Sequence, residues 1–290
     1  MSGAQRFHPV RGELIDIGGR RLRVVRAGAP SARPTVLCEH GAFGCAADWA
    51  SVQARLAALG LHSLAYDRAG LGLSDPGPAP RDGRAIVADA EAMLAHAGET
   101  GPLVLVGHSM GGLMVRLFAH AQPARVVGLV LVDAVTPEAM DLRFAPQAVS
   151  LFWSGMRLVG LGARAGLMRP VAQVTGNLIG LVGEAAVEKR RIYANAAHAR
   201  GAAEEVEQWP ATSELARAAP LAPTLPVAVI TAGPEGRAPR LKAAQTAAAR
   251  ASEHGYVEHV PGANHASLLG ERFADPVVRG VVHVLEAAGL

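Results

Sequence analysis

The chain has 290 residues and half of them are apolar, which is enough to bury the core of one large domain or two small ones. Its formal net charge is +3 and no run of five Lys or Arg occurs, so the sequence does not favour a nucleic-acid partner. The first residues lack the apolar segment of a signal peptide, and the apolar-rich stretch PVAQVTGNLIGLVG is too short and too polar to span a membrane. Two cysteines do not suggest a disulfide framework, so we expect a soluble, cytoplasmic protein.

The first half of the chain alternates strand-like and helix-like segments. Alternating apolar residues around Gly18 and Gly19 predict a hairpin over residues 12–28. TVLCEHG and LHSLAYD are short apolar runs typical of buried strands, and helical spacing predicts a helix over residues 49–59 between them. Asp82 is a suitable N-cap for a further helix. PLVLVGHS, a helix over residues 111–121, and VVGLVLVD then follow. This alternation favours a mostly parallel, doubly wound α/β sheet.

The alternation stops at Ala134 and resumes near Pro226 with PVAVITAG. Residues 134–222 contain glycine-interrupted helical segments and no convincing strand, which predicts a helical cap inserted into a core formed by residues 1–133 and 223–290. Apolar side chains of this insertion either line a substrate pocket or pack against the core. These side chains are Phe152, Trp153, Met156, Leu158, Leu161, Leu167 and Met168.

The stretch GHSMG, residues 107–111, matches the pattern G-x-S-x-G. A predicted strand precedes it and a predicted helix follows it, which is the context in which such a serine is exposed on a sharp turn. Ser109 would then lie at the carboxyl ends of the strands, where open α/β sheets bind ligands. A serine that only caps the helix is the simpler alternative, but the context favours a nucleophile.

With this motif, the chain resembles the α/β-hydrolase fold proteins that carry a helical cap. EHGAFGCAADW resembles the family's loop after the third strand, and VPGANHASLL resembles its histidine loop. YDRAGLGLSD resembles its turn after the fourth strand but has Ala69 where the family usually has arginine. The resemblance implies a nucleophile, an acid and a histidine in that chain order.

Six histidines follow Ser109, and only His265 is predicted to lie in a loop directly after a late strand. It is therefore our candidate for the base that accepts the serine proton. Two acids compete for the third position. Asp133 follows the strand VVGLVLV and Glu235 follows PVAVITAG; we favour Asp133 because a strand end fixes its backbone.

By the family pattern, the backbone N–H groups of Met110 and Ala42 form the oxyanion hole, with Phe43 as the close alternative to Ala42. His40 and His108 also lie near these motifs. We interpret both as histidines that pack or hydrogen-bond within their loops.

A Ser–His–acid set suits acyl transfer, so we expect a serine hydrolase that cleaves a carboxylic ester of a small, largely apolar substrate. Thioesters, lactones and C–C bonds beside a carbonyl are alternatives on the same residues, and a non-catalytic ligand-binding receptor is the alternative from another class. The histidine spacing predicts no metal site, and no dinucleotide-binding G-x-G-x-x-G frame occurs, so we expect no cofactor. The expected partner is then a small-molecule acyl substrate. We expect the chain to have no membrane span, and the sequence does not indicate its oligomeric state.

Overall fold

The computed structural model of the chain describes residues 11–290. Eight strands form one sheet in the order β1-β2-β4-β3-β5-β6-β7-β8. Their bounds are β1 Glu13–Asp16, β2 Arg21–Ala27, β3 Thr35–Glu39, β4 Ser63–Tyr66, β5 Leu103–His108, β6 Val126–Val132, β7 Val227–Ala232 and β8 Gly255–Val260. Strands β1 and β2 pair antiparallel, as do β2 and β4, and all other pairs are parallel. The predicted hairpin and the predicted mostly parallel sheet are both confirmed.

Eleven α-helices connect or follow these strands within the described residues. Their bounds are α1 Ala50–Ala58, α2 Gly83–His96, α3 Gly111–Ala121, α4 Pro137–Met140, α5 Ala145–Arg164, α6 Met168–Thr175, α7 Gly183–Tyr193, α8 Ala196–Glu207, α9 Trp209–Arg217, α10 Pro239–Ala251 and α11 Asp275–Ala287. Helix α3 has the predicted bounds, and Asp82 accepts a hydrogen bond from Ala85 N as the predicted N-cap of α2. The helix expected over residues 49–59 begins with a 3₁₀ turn, Ala46–Trp49.

Alternating strand residues face two hydrophobic layers. Val36, Val104 and Val106 pack with side chains of α1 and α11 on one face of the sheet. Leu37 and Leu105 pack with side chains of α2, α3 and α10 on the other face. Because side chains alternate across a strand, continuous apolar strands are buried on both faces. The sheet is therefore covered by helices on both sides, and its functional edge is where the parallel strands end.

Six helices, α4 to α9, lie between β6 and β7, and the described residues between these two strands contain no strand. Buried ion pairs tie α7 and α8 to the sheet side of the molecule. Lys189 of α7 lies 2.8 Å from an Asp48 oxygen, and Arg68, after β4, forms two hydrogen bonds of 2.7 and 2.8 Å with Glu205 of α8. Because an unpaired charge is costly to bury, these pairs fix the two helices on the core.

Candidate active site

Ser109 and Asp133 lie side by side at the carboxyl edge of the sheet. Strand β5 ends at His108 and β6 ends at Val132, and these two residues are partners in the parallel pairing. Each following residue therefore leaves the sheet at the same edge. His265 comes to this edge from the loop after β8. The sheet order thus gathers three side chains that are far apart in the sequence.

Ser109 occupies a tight turn between β5 and α3. Its φ is 54°, a left-handed value that costs a residue with a side chain about 1–3 kcal/mol. The turn also needs small neighbours, because a Cβ added at Gly107 would lie 2.7 Å from the Gly111 oxygen. Ser109 N donates a 3.1 Å hydrogen bond to Val132 O, which fixes the turn against β6. The serine is therefore held in a strained, well-defined position.

Asp133 is held on both carboxylate oxygens. Its Oδ2 lies 2.7 Å from His265 Nδ1, while Oδ1 accepts hydrogen bonds from Ala232 N at 3.2 Å and from Gln245 Nε2 at 3.1 Å. Burial alone would raise the pKa of Asp133, but the hydrogen bond and charge of His265 and the N–H of Ala232 outweigh it and lower the pKa. Asp133 is therefore an anion at neutral pH.

Glu235, the other candidate acid, lies in an exposed turn after β7. No hydrogen bond joins it to His265 in the part of the chain that the structure describes. Its charge instead acts on His259, whose pKa is lowered mainly by burial and raised in part by Glu235. The structure thus brings His265 together with Asp133 and leaves Glu235 elsewhere.

The His265 ring is half exposed, with 53% of its side chain accessible, but its backbone is well fixed. Asn264 Oδ1 accepts hydrogen bonds from the backbone N–H groups of Ala266 and Ser267. His265 O accepts a 2.9 Å hydrogen bond from His108 Nε2. Because a carboxylate only accepts hydrogen bonds, His265 Nδ1 must carry the proton that faces Asp133. In the neutral ring, Nε2 is then free to accept a proton.

His108 and His40 take part in loop hydrogen bonds. Burial, followed by the charge of His265, lowers the pKa of His108 to about 3, so this ring is neutral. His108 lies next to His265, with ring centroids 4.6 Å apart. His40 Nδ1 lies 2.8 Å from Gly41 O, and burial is the largest cause of its lowered pKa. These contacts agree with our interpretation of both residues as structural.

Ser109 and His265 line the same cavity, which has a volume of about 440 Å³. Within residues 11–290, no hydrogen bond joins Ser109 Oγ to the His265 ring. Catalytic hydrogen bonds are often long or unformed in ligand-free enzymes and tighten when substrate binds. The half-exposed ring leaves room for such an adjustment.

Three backbone N–H groups near Ser109 have no hydrogen-bond partner among the described residues. They belong to Ala42, Phe43 and Met110, which are the residues expected at the oxyanion hole. Gly41 lies directly beside the serine, since a Cβ added to it would be 2.9 Å from Ser109 Cβ. Phe43 has a φ of 58°, which marks a sharp bend in this loop. The loop after β3 therefore runs past the serine with unpaired donors.

The cavity wall includes Phe152, Met156, Leu178 and Ile179 of the helical insertion. Leu158, Leu161 and Leu167 fit neither expectation, because they do not line this cavity and their side chains are exposed instead of packed on the core. Leu158 and Leu161 lie on a different side of α5 from the cavity-lining Phe152 and Met156, and Leu167 directly precedes α6. Trp153 lies at a second cavity of about 570 Å³ between α5 and α9, which none of Ser109, Asp133 and His265 lines.

Two absences hold for residues 11–290. These residues contain no group of three or more His, Cys, Asp or Glu side chains placed to hold a metal ion. They also include no helix long and apolar enough to cross a bilayer.

A family model described as the alpha/beta hydrolase fold matches residues 34–271. The chain belongs to this family. The resemblance expected from GHSMG and its companion motifs is thereby confirmed. Membership establishes a hydrolase-type fold, and the same fold serves many reactions.

Individual relatives are similar to parts of the chain. "Probable transporter efuK" of Hormonema carpetanum is 35% identical over 130 residues, which are 42% of this chain and 18% of that protein. Epoxide hydrolase A of Mycobacterium tuberculosis is 36% identical over 126 residues, 42% of this chain and 38% of that enzyme. The chain therefore spans well under half the length of these relatives. A thermophilic esterase from Thermogutta terrifontis, 21% identical, covers 95% of this chain and 99% of its own with a TM-score of 0.65, which shows the fold.

Gln245 and the His108–His265 bond were not predicted from the sequence. Gln245 lies on α10, 112 residues after Asp133, and no local motif marks it. His108 was singled out only as a neighbour of Ser109, because its bond to the His265 backbone depends on how the loop after β8 folds over β5.

Proposed function

We propose that the chain is a serine hydrolase that cleaves carboxylic esters with a small, largely apolar acyl or alcohol part. The observation that supports this best is the 2.7 Å contact between Asp133 Oδ2 and His265 Nδ1 at the sheet edge that also carries Ser109. A nucleophilic serine needs a base, and the base needs a group that fixes its tautomer. Asp133 can serve as that group.

In this proposal, His265 Nε2 takes the proton of Ser109 Oγ as the oxygen attacks the ester carbonyl carbon. The charge that develops on the carbonyl oxygen is stabilised by the N–H groups of Met110 and Ala42. The imidazolium returns its proton to the alcohol oxygen as the carbon–oxygen bond breaks, which leaves an acyl group on Ser109. A water molecule, deprotonated by the same Nε2, then attacks the acyl carbon and releases the acid and the free serine.

Two further residues act as positioning residues in this account. Gln245 Nε2 and Ala232 N hold Asp133 Oδ1, which turns Oδ2 toward the histidine. His108 holds the backbone of His265 and stays neutral, so it places no additional positive charge beside the imidazolium.

The apolar wall formed by Phe152, Met156 and Ile179 favours a substrate with an apolar part. The insertion, residues 134–222, would act as a lid over this cavity. Helix α5 buries only Ala145 and Met156 among its 20 residues, whereas α8 buries seven of 12. We therefore place the mobile part of the lid in α5 and α6, and its fixed base in α7 and α8.

The test is a screen of p-nitrophenyl esters of rising chain length, with a thioester, a lactone and a β-diketone alongside. We expect turnover of the esters by the native chain and loss of nearly all of it in Ser109→Ala, with unchanged unfolding. Full ester turnover in Ser109→Ala, or binding without turnover of any ester by the native chain, would contradict the proposal.

A further inference from the structure

Exposed large apolar side chains are concentrated in one segment of the helical insertion. Nine of the fourteen such residues in the described chain lie between residues 144 and 182. They are Phe144, Leu151, Leu158, Leu161, Leu167, Val171, Val174, Leu178 and Val182. Single exposed leucines are common on proteins, but a contiguous group is typical of a contact surface. We call this group the α5–α6 surface.

Helix α5 is apolar on two sides. Phe152 and Met156 face the cavity that Ser109 lines. Leu151 and Leu158 are seven residues apart, so they lie along one stripe of the helix, and both are exposed, by 77% and 68%. Val174 of α6 is 84% exposed. Packing within the chain therefore accounts for the inner side of α5 and leaves its outer side uncovered.

The charged side chains within the segment that carries this surface have one sign. Residues 142–183 contain four arginines and no Asp or Glu. The arginines are Arg143, Arg157, Arg164 and Arg169; all four are exposed, and none forms an ion pair with another residue of the described range 11–290. The α5–α6 surface thus combines unpaired positive charge with exposed apolar side chains.

We infer that the α5–α6 surface docks on an anionic lipid bilayer, with its leucines and valines among the acyl chains and its arginines at the headgroups. Apolar residues flanked by basic ones bind bilayers in this way, lying in the interface without crossing it. A second copy of the chain fits less well, because pairing two such surfaces would bring like charges together. Nucleic acid would engage the arginines but not the apolar stripe.

The surface adjoins the opening of the cavity. Leu178 is exposed and also lines the cavity. Its neighbours Thr175 and Gly176 line the same cavity. A docked chain would therefore present the cavity to the bilayer. Docking does not depend on the proposed ester hydrolysis, but entry of an ester from the bilayer into the cavity rests on it.

The experiment is vesicle flotation of the full chain, with vesicles of phosphatidylcholine alone or mixed with phosphatidylglycerol. We expect binding to the mixed vesicles that weakens as salt is added. Leu151→Asp with Val174→Asp should weaken it by at least about tenfold for each side chain. Arg157→Gln with Arg164→Gln should weaken it by about fivefold for each arginine.

Matched controls carry the same changes elsewhere. Leu59→Asp with Leu290→Asp alters two residues that are each 51% exposed, and Arg240→Gln with Arg250→Gln alters two exposed arginines of α10. Both controls should bind as the native chain does. Equal binding by all variants, or no binding to mixed vesicles, would overturn the inference. The inference would also be overturned if the native chain binds no vesicles but forms a dimer, and Leu151→Asp with Val174→Asp converts this dimer to a monomer.

Binding is also measured with Ser109→Ala, which should float with the mixed vesicles as the native chain does. If the native chain floats with the mixed vesicles but turns over no ester, the proposed function is contradicted and the docking inference stands. If the surface variants lose flotation but turn over a water-soluble ester as fast as the native chain, the α5–α6 surface is needed for docking and not for catalysis.

Discussion

Asp133 and His265 are 132 residues apart in the sequence, yet their side chains meet at 2.7 Å. The contact forms because Asp133 directly follows β6, one of the central parallel strands, and His265 lies in the loop after β8, the last strand of the same sheet. Its geometry determines which nitrogen of the histidine carries the proton, and so leaves the other nitrogen available for Ser109.

Asp133→Asn should lower kcat by about 10⁴-fold, by analogy with serine proteases in which the acid is replaced by its amide. The amide can donate to His265 Nδ1, so it favours the tautomer whose proton faces Ser109. Glu235→Gln is the matched control and should leave kcat within about twofold. Steady-state kinetics on one ester decide the matter. A large loss in Glu235→Gln with little change in Asp133→Asn would move the acid to Glu235.

Gln245→Leu should lower kcat by roughly ten- to a hundredfold, because a hydrogen bond to a charged group contributes about 1.5–3 kcal/mol. KM should change little, since Gln245 does not line the cavity. Gln53 is a matched control: it is equally buried but bonds Val25 O and Ser63 away from the site. Gln53→Leu should lower the free energy of unfolding and spare kcat. Equal kcat losses in both variants would make Gln245 merely structural.

The protein should lose stability steadily as the pH falls from about 6.5. Burial is the main reason that the pKa values of His40, His108 and His198 lie below the ordinary 6.5, at about 3 for the last two. The unfolded chain therefore binds protons that the folded chain refuses, so stability present above pH 6.5 is lost toward pH 3. His108 and His198 should each contribute about 1.4 kcal/mol of loss between pH 7.5 and 5.5, and His40 should act in the same direction.

His198 offers a test of this pH dependence. Its Nδ1 accepts a 3.0 Å hydrogen bond from Gly72 N, which a protonated ring cannot accept. His198→Gln should remove about 1.4 kcal/mol of the difference in unfolding free energy between pH 7.5 and 5.5, measured by urea titration. His120→Gln, at an exposed position, should leave this difference unchanged. An unaltered difference in His198→Gln would show that this ring is not kept neutral by burial.

Hydrogen exchange should distinguish two parts of the helical insertion. Helix α8 is held by the buried Arg68–Glu205 pair, whereas α5 has little buried surface. Amides of α5 and α6 should therefore exchange faster than those of α8, and a bound ester analogue should slow α5 selectively. Mass spectrometry of peptides from each helix measures this. Equal protection of both helices, with and without ligand, would contradict a lid formed by α5 and α6.

Local patterns were enough to predict the sheet, the turn at Ser109 and the bounds of α3, since each depends on residues close in sequence. The sequence favours Asp133 over Glu235 as the partner of His265 but does not decide between them, because both acids follow parallel strands that end at the same edge of the sheet. The bond from Gln245 could not be predicted, because it depends on how α10 packs beside β6.

The insertion shows a further limit of sequence patterns. Apolar residues in α5 indicated that it contacts something, but they occur on two sides of the helix. Leu158 and Phe152 are equally apolar, yet the first is exposed and the second lines the cavity. Only the docking of α5 against α8 decides which side faces inward. The sequence therefore could not separate pocket residues from surface residues.

Covalent labelling tests most directly whether Ser109 is the nucleophile. The native chain is treated with a fluorophosphonate, which phosphonylates an activated serine, and the modified peptide is identified by mass spectrometry. We expect one adduct, on Ser109, with labelling slowed by a p-nitrophenyl ester and strongly reduced in His265→Ala. An adduct on another serine, or a Ser109 that does not react in the native chain, would contradict it.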